Sequence, residues 1–433
     1  MISATEKPQE VIISQSVRER NCEDRISALP DDLLVKILLF VPTKYIVTTM
    51  ILSKRWRTIW TEVPRLEYED IVSNTNSEQK SVWWFLEKSL QLHKAPILES
   101  LCIQLKEICP TNVDVAKLVA QAVDRSLRRL LFHLSWLAKP TSMPNRLYTC
   151  ETLTELELFN KIILDVPPSV CLPSLAKLFL FCVVYKDDVS LFRLLSNCPV
   201  LRILLVIRSE EDGNVKKYTV KVPSLEEFTY LYKRPLSLAE NTRSLVLDCP
   251  ALTKLSINDH SGDSCSIGNM PSIVRAELST FCYPDKKNSE TYFLGHVMCR
   301  PDNFSQLVDL TITPCDSGWL VQLMLMLKSN HELKSLAIKS SYIITPLLWN
   351  KPDHVPKCLA SHLEFFKWRS YNDIKEEREF VAYILANSKC LKKAEFVMPN
   401  SKNIYDENNI CEELKSMFKI SPSCQITFTF IHI

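Results

Sequence analysis

Leu153-Thr-Glu-Leu-Glu-Leu158 and Leu175-Ala-Lys-Leu-Phe-Leu180 set out apolar residues in one order, L-x-x-L-x-L, with starts 22 residues apart. Further copies open at Leu201, Leu225, Leu252, Ile273, Leu307, Leu333 and Leu363, with a more degenerate one at Leu391. Leu98 and a weak segment near Leu127 precede them. The next intervals are 26, 24 and 27 residues, and the later ones lengthen, which predicts insertions there. Several copies follow a proline turn: Leu172-Pro-Ser-Leu, Cys198-Pro-Val-Leu, Val222-Pro-Ser-Leu, Cys249-Pro-Ala-Leu and Met270-Pro-Ser-Ile. Proline fixes φ before each strand. Between strands lie helical patterns such as Val189 to Leu195 and Leu320 to Leu327.

One strand plus one helix or loop, repeated at this period, is a leucine-rich-repeat pattern. Stacked units bury a continuous core, so the spacing predicts an α/β solenoid: a curved parallel sheet with helices on its outer side. Alternation sends the leucines inward and leaves the intervening side chains on the open face. There the first half of the sheet presents Glu157 and Phe159, Phe179 and Phe181, Leu205 and Ile207, then Thr229 and Leu231. The second half turns polar or basic, with Ser256, Asn258, Thr311, Thr313, Lys339, Lys367 and Arg369. Phe159, Phe179, Phe181, Leu205, Ile207 and Leu231 form the candidate target-binding patch. Two readings stand: a protein-contact surface, or ordinary core beneath covering loops.

Composition narrows the function classes. The chain has 433 residues, 46% of them hydrophobic, enough for more than one folded unit. Lys plus Arg number 52 against 50 Asp plus Glu, a net charge of +2, which argues against direct nucleic-acid binding by phosphate neutralisation. No apolar run has a membrane span's length, and the first residues lack a secretory pattern, so a soluble intracellular protein is expected. In that compartment the 16 cysteines read as small buried hydrophobes, since none lies in Cys-x-x-Cys spacing. Only 5 glycines occur, none in a phosphate-cradling motif, and no G-x-S-x-G or H-E-x-x-H is present. No cofactor, metal site or catalytic residue is expected. His354, Cys358 and His362 share an i, i+4, i+8 spacing, but Pro356 interrupts it and a fourth ligand is lacking.

Ahead of the repeats, Leu29-Pro-Asp-Asp-Leu-Leu-Val-Lys-Ile-Leu-Leu-Phe-Val-Pro42 predicts a short amphipathic helix that starts at Pro30 and Asp31 and stops at Pro42. A second helix is expected from Thr43 to about Ile51, and a third from an N-cap at Ser53 that sets Trp56 and Trp60 one turn apart. Three such short helices cannot bury all these apolar groups among themselves, so a partner surface is expected. Asp24 to Trp60 resembles the F-box in the form common among plant F-box proteins. That resemblance implies docking on a Skp-type adaptor and, through it, a cullin and a RING subunit. It implies signature positions at Leu29, Pro30, Leu33, Ile37, Leu38, Pro42, Leu52, Ser53, Trp56 and Trp60, some of which build the motif's own core. Arg55 and Arg57 read as solvated flanks.

From His354, the order Val355, Pro356, Leu359, Leu363, Trp368, Tyr371, Glu376, Tyr383, Leu385, Asn387 and Leu391 resembles the FBD module of plant F-box proteins. Asn372 stands where glycine is usual, at an expected left-handed turn. The segment supplies a strand, a helix from Ile374 to Asn387 and a closing strand, with Gln425 to Ile431 as an edge. The domain reading is a mobile tail at 1–22, an F-box at 23–63, a solenoid at 64–353 and an FBD cap at 354–433. The resemblance implies a non-catalytic substrate adaptor of a cullin-RING ubiquitin ligase whose target is unknown. The alternative is a leucine-rich-repeat scaffold or ligand sensor without a degradative role.

Overall fold

The computed structural model describes residues 25–70, 82–106, 114–134, 140–209, 215–232, 244–259, 264–268, 270–280, 297–298, 304–314, 319–339, 349, 351–399 and 404–431. The N-terminal tail expectation lies outside these residues. The chain forms two compact units, 1–63 and 64–433. Among the described residues no helix is long and apolar enough to cross a membrane.

The first unit holds helices Asp31–Leu38 and Thr43–Thr48, continued by a 3-10 turn at Thr49–Ile51, then a short helix Trp56–Ile59 with a 3-10 turn at Trp60–Glu62. Pro30 and Pro42 stand at the caps of the first two helices, where a missing N–H costs nothing. The third helix starts later than expected. Arg55 sits at its cap and no side chain caps it, so Ser53 lies outside the helix. Leu34, Leu38, Ile46, Trp56, Ile59, Trp60 and Val63 form a small core of their own.

The second unit is built on a 14-stranded parallel sheet. Its strands run in chain order from Arg65–Glu69 through Ser100–Leu105, Arg129–Leu134, Glu155–Phe159, Lys177–Phe181, Ile203–Arg208, Glu227–Tyr232 and Lys254–Asp259 to Arg275–Thr280, Asp309–Thr313, Ser335–Lys339, Phe365–Arg369, Lys393–Pro399 and Gln425–Ile431. Each copy of the repeat pattern from Leu98 onward precedes one of these strands. Arg65–Glu69 is an additional strand that the spacing did not announce.

The proline turns close as expected: the amides of Leu175, Leu201, Leu225 and Leu252 donate to the carbonyls of Leu172, Cys198, Val222 and Cys249 at 3.3, 3.2, 3.2 and 3.0 Å. Helices Val115–Val123, Asp188–Ser196 and Trp319–Ser329 cross between strands, but they do not line the whole outer side. Two minor parallel sheets do part of that work, one of Thr141–Ser142, Ile162–Leu164 and Val184–Tyr185, the other of Lys217–Lys221, Ser244–Asp248, Ser264–Ile267 and Val297–Met298. In Lys217–Lys221 the order Lys-Tyr-Thr-Val-Lys alternates with a period of two, which pleated backbone buries and a helix does not.

The FBD-like segment continues the same sheet. Phe365–Arg369 pairs with Ser335–Lys339, and Lys393–Pro399 pairs with Phe365–Arg369. The helix Lys375–Asn387 lies between these strands in sequence. Trp319, Trp368, Phe380, Tyr371, Phe396 and Trp349 interlock edge to face, with centroid separations from 5.2 to 6.2 Å. Asn372 is not the left-handed residue; Ser370 and Asp373 carry φ of 57° and 59° instead. Cys150, Cys198, Cys249, Cys358, Cys411 and Cys424 are buried, as expected of small hydrophobes, and burial pushes the Cys198 thiol up to about 12, but Cys102 and Cys182 are half-buried and Cys171 and Cys390 exposed. Cys358 donates to the Leu327 carbonyl at 3.2 Å, and its helix, Lys357–Ser361, is too short to carry His354 or His362 beside it.

Candidate functional site

The first unit divides its apolar residues by helical geometry. Leu34 and Leu38 face its core, whereas Leu33 and Ile37, one residue earlier in each turn, are 39% and 46% exposed. Phe40, in the turn after this helix, is 91% exposed. Tyr45, Met50, Ile51 and Leu52 are exposed as well, at 57%, 37%, 84% and 64%. Of the signature positions, Leu38, Trp56 and Trp60 are buried and Leu29 is half-buried. Pro30, Leu33, Ile37, Pro42, Leu52 and Ser53 are exposed. Phe40, Tyr45, Met50 and Ile51 were not singled out from sequence, although Phe40 closes the same apolar run, just before Val41 and Pro42.

Arg55 is not a solvated flank. Its guanidinium donates to the Asp31 carboxylate at 2.6 Å, to the Ser27 carbonyl at 2.7 Å and to the Leu29 carbonyl. The fork thereby ties the segment before the first helix to the start of the third. Arg57 is exposed.

In the second unit, pairing register aligns the open-face residues into rows across the strands. One row runs Gln104, His133, Phe159, Phe181, Ile207, Leu231 and Asn258. The next runs Cys102, Leu131, Glu157, Phe179, Leu205 and Thr229. All six candidate residues, Phe159, Phe179, Phe181, Leu205, Ile207 and Leu231, thus sit in two adjacent rows, and all six are half-buried. The Phe159 and Phe181 rings stack at 3.9 Å, nearly parallel, and His133 lies 5.1 Å from Phe159. His133 is held by Asn160 at 3.1 Å, and burial together with Lys106 lowers its pKa, which favours the neutral ring. Glu157 sits between Leu131 and Phe179, and burial raises its carboxyl, helped by a hydrogen bond shared with Glu155. His133 and Glu157 are polar handles beside the patch. The signal for His133 was available in the sequence, since it occupies the open-face position of the weak repeat near Leu127.

Farther along, two of the basic residues are neutralised within the sheet. Lys339 pairs with Glu277, and Lys367 pairs with Glu395 at 2.7 Å. Among the described residues no group of three or more metal-ligating side chains occurs.

Three family models match the chain: the F-box domain over residues 26–68, the leucine-rich repeats of FBD-associated F-box proteins over 115–298, and FBD over 351–396. An FBD-associated F-box protein of Arabidopsis thaliana is 44% identical over 440 residues, covering 95% of this chain and 99% of the relative. Two F-box/FBD/LRR-repeat proteins of the same plant are 42% and 36% identical, each alignment covering 94% of this chain and 92% and 100% of the relatives. With all three modules in this order and identity sustained along nearly the whole length, the chain belongs to the F-box/FBD/leucine-rich-repeat protein family.

Proposed function

We propose that the chain is the substrate-recognition adaptor of a cullin-RING ubiquitin ligase. Its F-box binds a Skp-type protein, and through it the cullin and RING subunit, while the open face of the repeat sheet binds a target protein. The observation that carries the reading is the exposed apolar set on the first unit: Leu33, Ile37, Phe40, Tyr45, Met50, Ile51 and Leu52. So many large apolar groups left in water on a unit this small mark a contact surface. In this reading Leu38, Trp56 and Trp60 shape that surface from beneath, and Leu29, Pro30, Pro42 and Ser53 border it.

The second contact is the pair of rows containing Phe159, Phe179, Phe181, Leu205, Ile207 and Leu231. An apolar patch with the Glu157 carboxyl and the His133 ring beside it suits a target segment with an apolar core and polar neighbours. No side chain of this chain takes part in ubiquitin transfer; the adaptor brings target and ligase together, and proximity raises the effective concentration. The site of action is intracellular, without a cofactor.

Affinity capture of the full-length chain from plant extract, read by mass spectrometry, tests both contacts. Capture should recover a Skp-type protein, a cullin and the target. Phe179→Asp with Phe181→Asp should lose the target and retain the ligase subunits. Retention of every partner by that variant would dismiss the patch as the target contact, and absence of any Skp-type protein from the wild-type capture would dismiss the ligase role.

A further inference from the structure

The large sheet ends on Gln425–Ile431, which among the described residues pairs only with Lys393–Pro399. The Gln425 amide donates to the Lys392 carbonyl at 2.9 Å, so alternation turns the N–H and C=O groups of Ile426, Phe428 and Phe430 away from the sheet. Natural edges are commonly guarded by charge, proline or shortness. This one has seven residues, Gln-Ile-Thr-Phe-Thr-Phe-Ile, with neither charge nor proline. At the opposite end of the sheet, Arg65–Glu69 reads Arg-Leu-Glu-Tyr-Glu and is guarded. Phe430 and Ile431 are 37% and 39% exposed, and Phe418 just before the strand is 73% exposed.

The strand is also its own complement. Ile426, Phe428 and Phe430 share the face of Ala394, Phe396 and Met398, whereas Thr427 and Thr429 share that of Glu395 and Val397. From Ile426 to Phe430 the apolar and hydroxyl residues read alike in both directions, while Gln425 and Ile431 at the ends do not. We propose that the chain forms a twofold homodimer in which Gln425–Ile431 pairs antiparallel with the same strand of a second copy, Phe428 opposite its twin. In that register Ile426 faces Phe430 and Thr427 faces Thr429, so apolar meets apolar, hydroxyl meets hydroxyl, and no like charges are opposed. A one-residue slip would set Thr against Phe on both faces. The twofold contact is isologous and closed, and the outward backbone groups gain partners. The particle would carry two target-facing sheets.

Sedimentation velocity of the full-length chain over a concentration series tests the proposal, and a reversible shift to twice the chain mass is expected. Thr427→Lys with Thr429→Lys opposes lysine to lysine twice and should weaken the dimer about tenfold or more. Thr427→Lys with Thr429→Glu places the same bulk at the same sites but opposes lysine to glutamate, and should restore association. In the wild-type chain, amide exchange at Phe428 and Phe430 should slow as concentration rises. A chain that stays monomeric throughout, exchange that ignores concentration, or a dimer undisturbed by the double lysine variant overturns the proposal. Capture of this edge by an extended segment of another protein, with the chain itself monomeric, overturns it too.

Discussion

Two residues show how much of each unit rests on a single charged group. Arg55 joins Asp31 to the carbonyls of Ser27 and Leu29. Because the side chain is 36% exposed, water moderates its worth, and Arg55→Ala should cost about 1 kcal/mol in thermal unfolding of the first unit. Arg55→Lys should not rescue it, since a point charge cannot reproduce the three-way fork. Glu377 is 3% exposed and receives the Asn372 amide at 2.8 Å, with the amides of Asp373 and Ile374 turned toward it as well. Burial outweighs these donors and raises the carboxyl from 4.5 to about 7. Between those values the folded chain keeps a proton that the unfolded chain releases. The resulting stability is complete below the lower value and disappears as pH rises through the upper one. Unfolding titrations should therefore show Glu377→Gln removing a decline of a few kcal/mol, on the order of the shift, between pH 4.5 and 7.5. An unchanged profile would place the proton elsewhere.

Within the repeats that carry a proline turn, the element couples that turn to a strand: proline sets the bend, the i to i+3 bond closes it, and the next apolar positions point into the core. Leu156 and Leu178 are fully buried in repeat strands. Leu156→Ala should destabilise the second unit by about 2–5 kcal/mol, a cavity cost readable as a lowered denaturant midpoint with little change in slope. Strands of this kind were legible in the sequence because their spacing is rigid and several of their turns carry proline. Arg65–Glu69 was not, since a tyrosine takes its second inward position and Val63-Pro-Arg-Leu66 runs into the strand instead of closing a turn ahead of it. The outer strands were also missed, being as short as Thr141–Ser142. Arg208 eluded the pattern for another reason: it occupies an inward position of Ile203–Arg208, held by the Val215 carbonyl at 3.0 Å and lying over the Tyr218 ring. The inner and outer faces of Asp31–Leu38 were not separated either, because Leu33, Leu34, Ile37 and Leu38 form adjacent stripes, and only packing against Trp56 and Trp60 decides which one turns inward.

For the whole molecule, the resemblance to known modules follows the order of the sequence, while the packing shows that the FBD-like segment is not an appendage. Its strands continue the repeat sheet and its aromatic residues interlock with Trp319 of the preceding helix. Trp368→Ala should therefore cost about 3–5 kcal/mol and reduce amide-exchange protection in Ser335–Lys339 as well as in Phe365–Arg369. Loss confined to the FBD-like strands would mean that the two parts unfold independently. In the other unit, the outward apolar residues form the proposed ligase-facing surface. Calorimetric titration of the full-length chain with a purified Skp-type adaptor tests it most directly. Ile37→Asp with Phe40→Asp should weaken binding by about 100-fold or more while leaving the melting of the first unit unchanged. Equal affinity of variant and wild type, or no binding by either, would rule out that surface.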